Sequence, residues 1–320
     1  MQYAEVNPAE ALLMPNLTFG SVELVIYQQQ HTLESIEPEH EGATKPQFFG
    51  WIYVNQFSNI DGNYIKITSE DECTVKITRD KFGSIPIYYN DALTLFSTDK
   101  RHVIDTHAEG FKPTGLSEYV ACGFTTFGNT VYEGVNVLSP FEGVLIEDGK
   151  ASIVNLGPYF PNMDTKCEPN EGIQKCMVGA VGGITKAFPA VTLNFSGGND
   201  STLLLGLLRR LDPAVSIRTN TYFHTDWRDE LNDWQYADEL SRAFGTKHEL
   251  CKINQEVFSR ASAELSMLTR DAMHTYASAF FYQNSSVIDG TPIINGSGPD
   301  ECIVGTEKSS IQDMLRLNDR

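Results

Sequence analysis

The first half of the chain alternates apolar and polar positions in short runs, which is the pattern of β-strands with one buried face. Residues 64–68 and 73–78 form two such runs around a polar turn, and residues 144–146 and 151–154 flank a turn that contains glycine. Runs of this kind joined by short polar turns predict β-hairpins. We therefore expect a domain of layered antiparallel sheets in this half.

The apolar spacing changes in the second half of the chain. A short apolar run at residues 190–195 precedes a leucine-rich segment at 201–211, whose apolar residues lie on nearly all sides of a helix and predict a buried one. Further strand-like runs follow at 217–223, 247–253 and 292–295, with helical spacing between the first two. Strands that alternate with helices predict βαβ units and a parallel sheet.

A turn-rich segment separates the two patterns. Residues 157–164 read Gly-Pro-Tyr-Phe-Pro-Asn-Met-Asp, which is typical of a linker. We therefore predict two domains. Residues 1–157 form an α+β, β-rich domain, and residues 158–320 form an α/β domain with a parallel sheet.

The composition excludes several classes of partner. The chain has 24 Lys+Arg against 42 Asp+Glu, a formal net charge of −18, whereas nucleic acids and anionic membranes bind basic faces. We therefore expect neither as a partner. No run approaches the roughly 18–20 apolar residues of a membrane span, and no signal-peptide pattern opens the chain. The six cysteines are scattered without a CxxC, so we expect reduced thiols and a cytoplasmic protein.

The sharpest chemical signal is Ser-Gly-Gly-Asn-Asp-Ser at residues 196–201, between a predicted strand and a predicted helix. Two glycines let the backbone turn tightly and approach a ligand, and the start of a helix offers unpaired N–H groups and a positive dipole end. This combination suits phosphate groups. Asp200 would repel them, so it fits only with Mg²⁺ between its carboxylate and the phosphate oxygens. The simpler alternative is a plain turn before a capped helix.

A second glycine-containing loop, Asn-Gly-Ser-Gly-Pro-Asp-Glu at residues 295–301, follows the last predicted strand. Ligands of open parallel sheets bind beyond the carboxyl ends of the strands, where both loops belong. We therefore expect Asp200 and Asp300 to converge on one Mg²⁺ ion. Taken alone, the second loop has an ordinary turn sequence, and its pairing with the first favours a site.

The 196–201 loop resembles the PP-loop of N-type ATP pyrophosphatases, and its surroundings resemble the asparagine synthetase family, including relatives that form β-lactams and lasso-peptide macrolactams. Asn-Asp-Trp-Gln-Tyr-Ala at residues 232–237 is similar to that family's Asp-Glu-x-x-Tyr-Ala helix, and Phe-Gly-Thr-Lys-His at 244–248 to its Gly-Thr-x-His strand entry. Residues 295–301 are similar to its Ser-Gly-Glu-Gly-x-Asp-Glu loop. The resemblance implies an adenine nucleotide alpha hydrolase-like domain.

The first half carries a resemblance as well. Arg-Asp-Lys-Phe-Gly-Ser-Ile-Pro-Ile-Tyr-Tyr at residues 79–89 resembles the Arg-Asp-x-x-Gly-x-x-Pro-Leu-Tyr-Tyr hairpin of class II glutamine amidotransferase domains. Leu-Phe-Ser-Thr-Asp-Lys at residues 95–100 follows it, as the family's Phe-Ala-Ser-Glu-x-Lys does. The whole resemblance covers roughly residues 48–308 and implies an Ntn-hydrolase-like first domain.

The resemblance implies a two-step reaction. ATP with Mg²⁺ adenylates the carboxylate of a small molecule or peptide and releases pyrophosphate, and an amine then attacks the acyl-adenylate to form an amide. The implied catalytic residues are Asp200, Asp300 and Ser297, of which the two acids bind Mg²⁺. The implied nucleotide contacts are Ser196, Gly197, Gly198, Asn199, Ser201, Thr221, Tyr222, Gly296 and Gly298.

The chain departs from the family pattern in three ways. Glutamine-hydrolysing members use an N-terminal cysteine, whereas here Met1 precedes Gln2 and the first cysteine is Cys73, so we expect no glutaminase activity. Ser297 replaces the Glu of asparagine-forming members and the Tyr of β-lactam-forming ones, and serine is a poor general base. The family also continues for a long helical segment beyond the position where this chain ends. A homodimer or a partner chain that completes the site, a compact variant, or reduced activity would each accommodate that difference.

Two other functions remain open from the sequence. The first is a catalytically weakened nucleotide-binding protein that needs a second chain. The second is a PP-loop RNA-modifying enzyme, such as a tRNA thiolase. The net charge of −18 and the absence of a CxxC count against the RNA-modifying enzyme.

Overall fold

The computed structural model describes residues 16–26, 30–31, 46–54, 60–71, 73–126, 128–157, 169–225, 234–270 and 291–296. The chain divides into two compact units, Met1–Lys166 and Cys167–Arg320. The boundary that the linker predicts, after residue 157, lies shortly before this division.

The first unit is built mainly of strands. In chain order its described strands are β1 (Asn16–Phe19), β2 (Val22–Val25), β3 (Gln30–His31), β4 (Gln47–Val54), β5 (Ile60–Ser69), β6 (Thr74–Arg79), β7 (Tyr88–Asn90), β8 (Leu95–Ser97), β9 (Val135–Val137), β10 (Glu142–Glu147) and β11 (Lys150–Asn155). Two helices, α1 (Lys100–His107) and α2 (Pro113–Cys122), lie between β8 and β9 in the chain.

These strands form two sheets, in the orders β1-β2-β8-β7-β9 and β11-β10-β6-β5-β4-β3. The predicted hairpins β5–β6 and β10–β11 are confirmed as antiparallel pairs. One neighbouring pair, β2 with β8, is parallel. The described strands therefore show the expected layered sheets, whereas the likeness to Ntn hydrolases stays a prediction.

Alternation along the strands explains the layers of the first unit. Leu24 of one sheet and Ile65 of the other belong to one buried core between the sheets. Val25, the next residue after Leu24, points to the opposite face, where it packs with Val103 of α1. The order of layers in this part of the unit is therefore helix, sheet, sheet.

The second unit alternates helices and strands. In chain order its described elements are α3 (Pro169–Ala187), β12 (Ala190–Asn194), α4 (Asn199–Leu211), β13 (Ser216–His224), α5 (Trp234–Ala243), β14 (Lys247–Ile253), α6 (Gln255–Thr269) and β15 (Ile293–Ile294). The strands form a sheet in the order β14-β13-β12-β15, and each neighbouring pair is parallel. The predicted α/β architecture is confirmed.

The main core of the second unit lies on one face of this sheet. Val191, Leu193 and Ile217 pack there with residues of α3, α4 and α5. On the other face, Ile253 and Tyr222 pack against α6. Both faces of the described sheet therefore carry helices, as is usual for parallel sheets.

The expectation of a helix buried on nearly all sides is wrong for α4. Leu205 and Leu208 are fully buried, but Leu203 is 51% exposed and Leu211 is 36% exposed. The sheet and its neighbouring helices cover only one side of α4, and the sequence of the helix alone does not show which side that is. Among the described residues, no helix is both long and apolar enough to cross a membrane.

Candidate functional site

The 196–201 loop leaves the carboxyl end of β12 and leads directly into α4. Gly198 is the N-cap of α4, with extended dihedral angles of φ −71° and ψ 171°. Since glycine has no side chain to cap the helix, the cap residue itself places no group over the first turn. The N–H groups of that turn, together with the positive end of the helix dipole, form a binding surface for an anion.

Gly197 brings the loop into close contact with α5. Its φ of +80° is rarely adopted by residues with a side chain, and a Cβ atom would lie 2.8 Å from the amide nitrogen of Ala237. Both the conformation and the space therefore require glycine at this position. The contact makes the first turn of α5 one wall of the loop.

The two serine hydroxyl groups hold the shape of the loop. The N–H of Gly198 donates to Ser196 Oγ at 3.2 Å, and Ser201 Oγ donates to the carbonyl of Gly198 at 3.2 Å. The two hydroxyl oxygens are 3.2 Å apart. Ser201 is 4% exposed whereas Ser196 is exposed, so Ser196 is the hydroxyl that faces outward.

Strand β13 anchors the start of the loop. Phe195 is 1% exposed, its N–H donates to the carbonyl of Asn220 at 2.8 Å, and its own carbonyl accepts a short hydrogen bond from Thr221 Oγ1. Thr221 is itself buried, so its hydroxyl supports the backbone of the loop. Tyr222 lies on the opposite face of the sheet, where its hydroxyl donates to Asn194 Oδ1 at 3.3 Å.

The second loop meets the first at the start of α4. Strand β15 pairs with β12 through Ile294 and Leu193, so the residues that follow both strands reach the same edge of the sheet. A Cβ atom at Gly296 would lie 3.1 Å from the amide nitrogen of Ser201 and 3.3 Å from Asp200 Cβ. Gly296, at the described start of the second loop, therefore lies against the first turn of α4.

The remaining residues of the second loop are not all described. Ser297, Gly298 and Asp300 lie outside the described residues, so the convergence of Asp200 with Asp300 stays a prediction. Of the residues expected to contact the nucleotide, Asn199 is exposed at the first position of α4.

Asp200 is the described acid of this site. It lies half-buried in the first turn of α4, where the helix dipole favours a negative charge. Within the described ranges, no group of three or more His, Cys, Asp or Glu side chains could hold a metal. Mg²⁺ in nucleotide sites is commonly bound by one or two carboxylates together with phosphate oxygens, so Asp200 fits a Mg²⁺ ion that a nucleotide brings with it.

The sequence did not predict a buried polar cluster beneath α5. Thr219 Oγ1 lies 3.1 Å from Ser241 Oγ, 3.0 Å from Thr246 Oγ1 and 3.1 Å from His248 Nδ1. Thr219 and Ser241 are both 0% exposed. Polar residues at strand positions that face the core were the available signal, but only the fold shows that these four residues meet.

Burial favours the neutral form of His248 in the same cluster. Desolvation lowers the pKa of His248 from its ordinary value of 6.5, the nearby Asp238 opposes this shift, and Arg242 reinforces it. His248 Nε2 is buried, and no described residue forms a hydrogen bond with it. The neutral imidazole is therefore the favoured form at neutral pH.

Cys251 is not a reactive thiol. Burial, with a smaller contribution from Glu249, raises the pKa of its thiol to about 11. Because the thiolate is the nucleophile, a thiol that stays protonated at neutral pH is a poor catalyst. This side chain lies beside Tyr222 in the sheet register and serves packing.

The Arg-Asp motif of the first unit has a structural role in the turn after β6. Arg79 is 8% exposed and donates to four backbone carbonyls, those of Gly83, Ile85, Leu138 and Ser139. A Cβ atom at Gly83 would lie 3.0 Å from a guanidinium nitrogen, which explains the glycine of the motif.

Asp80 completes this turn from the other side. Its carboxylate accepts hydrogen bonds from the N–H groups of Tyr64, Phe82 and Ser84 and from the Ser84 hydroxyl at 2.9 Å. The two charged residues of the motif therefore bind backbone groups of their own unit, and both stabilise its fold.

One family model matches most of the second unit. Residues 172–318 match the family model described as asparagine synthase, which confirms the resemblance inferred from the motifs of that unit. No curated protein matches the chain. The amidotransferase resemblance of the first unit is not covered by this match.

Several solved structures are similar to the chain at low identity. An NH3-dependent NAD synthetase from Campylobacter jejuni is 16% identical with a TM-score of 0.31, over 43% of this chain and 60% of that one. A glutamine-dependent NAD+ synthetase from Acinetobacter baumannii in complex with ADP is 17% identical with a TM-score of 0.32, and the match covers 57% of this chain and 34% of that one. An NMN synthetase from Francisella tularensis is 16% identical with a TM-score of 0.31, and the match covers 42% of this chain and 57% of that one. The matched part spans less than two thirds of each of these proteins.

Proposed function

We propose that the protein is an ATP-dependent ligase whose 196–201 loop binds the phosphates of ATP, because residues 172–318 match the asparagine synthase family model. The observation that carries this proposal is the contact of Gly296 with the first turn of α4. A plain turn before a helix does not require a second glycine-containing segment in contact with the first N–H groups of that helix. A phosphate cradle does need close backbone on more than one side of the ligand.

We propose that the ligase activates a carboxylate as its adenylate. The carboxylate oxygen attacks the α-phosphorus of ATP, the bond to the bridging oxygen breaks, and pyrophosphate leaves. An amine then attacks the acyl carbon and loses a proton to solvent, so that an amide forms and AMP leaves with the bonding electrons. Negative charge on the departing pyrophosphate is greatest as the bridging bond breaks, which is where N–H groups and a helix dipole stabilise it most.

The residues of the loop have distinct parts in this proposal. Ser196 is the exposed hydroxyl that can donate to a phosphate oxygen, while Ser201 and the Gly198 backbone keep the loop open around it. Gly197 lets the loop lie flat on α5. Asp200, with Asp300 as its proposed partner, would hold Mg²⁺, which neutralises charge on the phosphate oxygens when bound.

The nitrogen donor is proposed to be ammonia or an amine of the substrate. A glutamine-hydrolysing site of the family type needs a cysteine with a free α-amino group as its base. Cys73 and Cys122, the described cysteines of the first unit, both lie within the chain, where the α-nitrogen is part of a peptide bond. The substrates proposed are a small-molecule or peptide carboxylate and such an amine.

Product analysis tests the proposed reaction. The protein is incubated with Mg-ATP, a panel of amino acids and carboxylate peptides, and hydroxylamine, which traps acyl-adenylates as hydroxamates. AMP, pyrophosphate and hydroxamate in equal amounts are expected. Formation of ADP and phosphate would contradict adenylation. Binding of ATP without any product would favour the non-catalytic nucleotide-binding protein, and glutamine that replaces hydroxylamine as donor would contradict the proposed nitrogen source.

A further inference from the structure

Helix α5 presents a fully buried line of small residues between the sheet and the 196–201 loop. Ala237 and Ser241 are both 0% exposed and lie one helical turn apart on the same face. The backbone of Ala237 contacts Gly197. Ser241 lies over the polar cluster formed with Thr219 and His248. The same face of one helix therefore connects the loop to a buried polar cluster.

The polar cluster fixes the position of α5 more sharply than apolar packing does. Ser241 Oγ is within 3.1 Å of both Thr219 Oγ1 and His248 Nδ1, and Thr246 Oγ1 donates to the Ser241 carbonyl at 3.2 Å. A small shift of the helix would leave buried hydroxyl groups without partners, which is costly, whereas apolar contacts tolerate sliding. Buried polar groups that fix a helix register are the best-attested use of such networks.

We propose that Thr219, Ser241 and His248 are positioning residues that set helix α5, and through Ala237 the backbone of Gly197, in the geometry that binds ATP. The inference rests on the proposed function of the 196–201 loop. None of the three side chains reaches the loop, so each acts through α5. His248 Nδ1 is the ring nitrogen that both hydroxyl groups contact.

The chain offers a control at the C-terminal end of α5, away from Gly197. Arg209 donates to the carbonyls of Phe244 and Gly245, just beyond the C-terminus of α5, and to the carbonyl of Val215. Loss of these contacts weakens the attachment of α4 to the segment that follows α5 and to the residue that precedes β13. Arg209 is no part of the polar cluster, so its loss should leave the contact between Ala237 and Gly197 in place.

The test compares Thr219→Val, which removes the hydroxyl at nearly constant shape, with Thr219→Ser, which keeps it, and with Arg209→Lys. Hydrogen exchange of the amides at 195–201 is measured without nucleotide, alongside the melting temperature and the Kd for Mg-ATP. Ser241→Ala serves as a second variant if Thr219→Val does not fold. In Thr219→Val, amide exchange in the loop should rise. ATP affinity should fall by about fivefold, which is the low end of the usual range for coupling between two sites. Thr219→Ser should restore both.

Arg209→Lys separates positioning from general stability. It should lower the melting temperature without faster exchange at 195–201. Unchanged loop exchange in both Thr219→Val and Ser241→Ala, or an equal rise in Arg209→Lys, would overturn the inference. Failure of the wild-type protein to bind ATP would instead refute the proposed function, because the exchange measurement needs no nucleotide.

Discussion

Gly296 lies against the amide of Ser201, so closely that a Cβ atom at position 296 would be 3.1 Å from that nitrogen. The residues are almost a hundred positions apart in the sequence, and β15 beside β12 brings them together. The contact places a second segment of backbone against the helix N-terminus that the 196–201 loop opens. An anion held there would therefore be enclosed from two directions.

A larger side chain at position 296 should weaken nucleotide binding. In Gly296→Val the added atoms meet the backbone of α4, which cannot move without shifting the first turn. Misplacement of that turn should raise the Kd for Mg-ATP by about tenfold to a hundredfold. Calorimetric titration of the variant and the wild type gives the two constants.

Gly206 provides the matched control for this substitution. It lies within α4, and a Cβ atom there would have no neighbour within 4 Å among the described residues. Gly206→Ala should stabilise the helix by about 0.5–1 kcal/mol and leave ATP affinity unchanged. Equal affinities for the wild type and Gly296→Val would show that the second loop does not border the nucleotide.

Arg79 should be essential to the fold of the first unit. Arg79→Met leaves the carbonyls of Gly83, Ile85, Leu138 and Ser139 without their shared donor. We expect a loss of about 3 kcal/mol, because buried acceptors that lose their partner retain the cost of desolvation. Hydrogen exchange read by mass spectrometry locates the loss in the first unit, separately from the second.

Arg101→Met is the control for the removal of an arginine. The side chain of Arg101 is 45% exposed and pairs with Asp99 at the surface. Such pairs contribute about 0–1 kcal/mol, so this variant should be close to the wild type in exchange. A loss as small in Arg79→Met would contradict the structural role of the Arg-Asp motif.

Stability should fall in mild acid because of His248. Burial lowers the pKa of His248 in the folded state, so as the pH falls the unfolded chain takes up a proton near pH 6.5 before the folded chain does. The folded state is therefore favoured above this pH and loses stability below it. Asp238 and Arg242 of α5 are the charged groups that act on this imidazole.

Urea unfolding between pH 8 and pH 5.5 measures this dependence. The wild type should lose stability over that interval, and His248→Asn should lose less, because its side chain does not titrate. His248→Gln, whose side chain does not titrate either, provides a second variant and should lose as little stability as His248→Asn. Identical slopes for all three proteins would contradict a buried, neutral His248.

Local patterns were sufficient to predict much of the second unit. The strand before residue 196, the glycines and the helix that begins at Asn199 are neighbours in the sequence, so their periodicity and turn chemistry predict the structure directly. The exposure of Leu203 could not be obtained in this way, because a helix rich in leucine on all sides does not indicate which side the sheet will cover.

The features that could not be predicted from the sequence depend on contacts between distant segments. Thr219, Ser241 and His248 lie on two strands and one helix, and of the three only His248 belonged to a motif recognised in the sequence. Their shared hydrogen bonds exist only once the sheet register is set. Arg79 belonged to a recognised motif, but its partners Leu138 and Ser139 lie far along the chain, so its structural role became apparent only in the fold.

Exchange of labelled pyrophosphate into ATP tests the central claim most directly, because it reports reversible adenylation at the 196–201 loop without any amine. With Mg²⁺ and a pool of candidate carboxylates, the wild type should incorporate label into ATP. Asp200→Asn, which keeps the size of the side chain but removes its charge, should fold normally and incorporate none. Exchange that persists in Asp200→Asn, or that is absent from a wild type shown to bind ATP, would contradict adenylation at this loop.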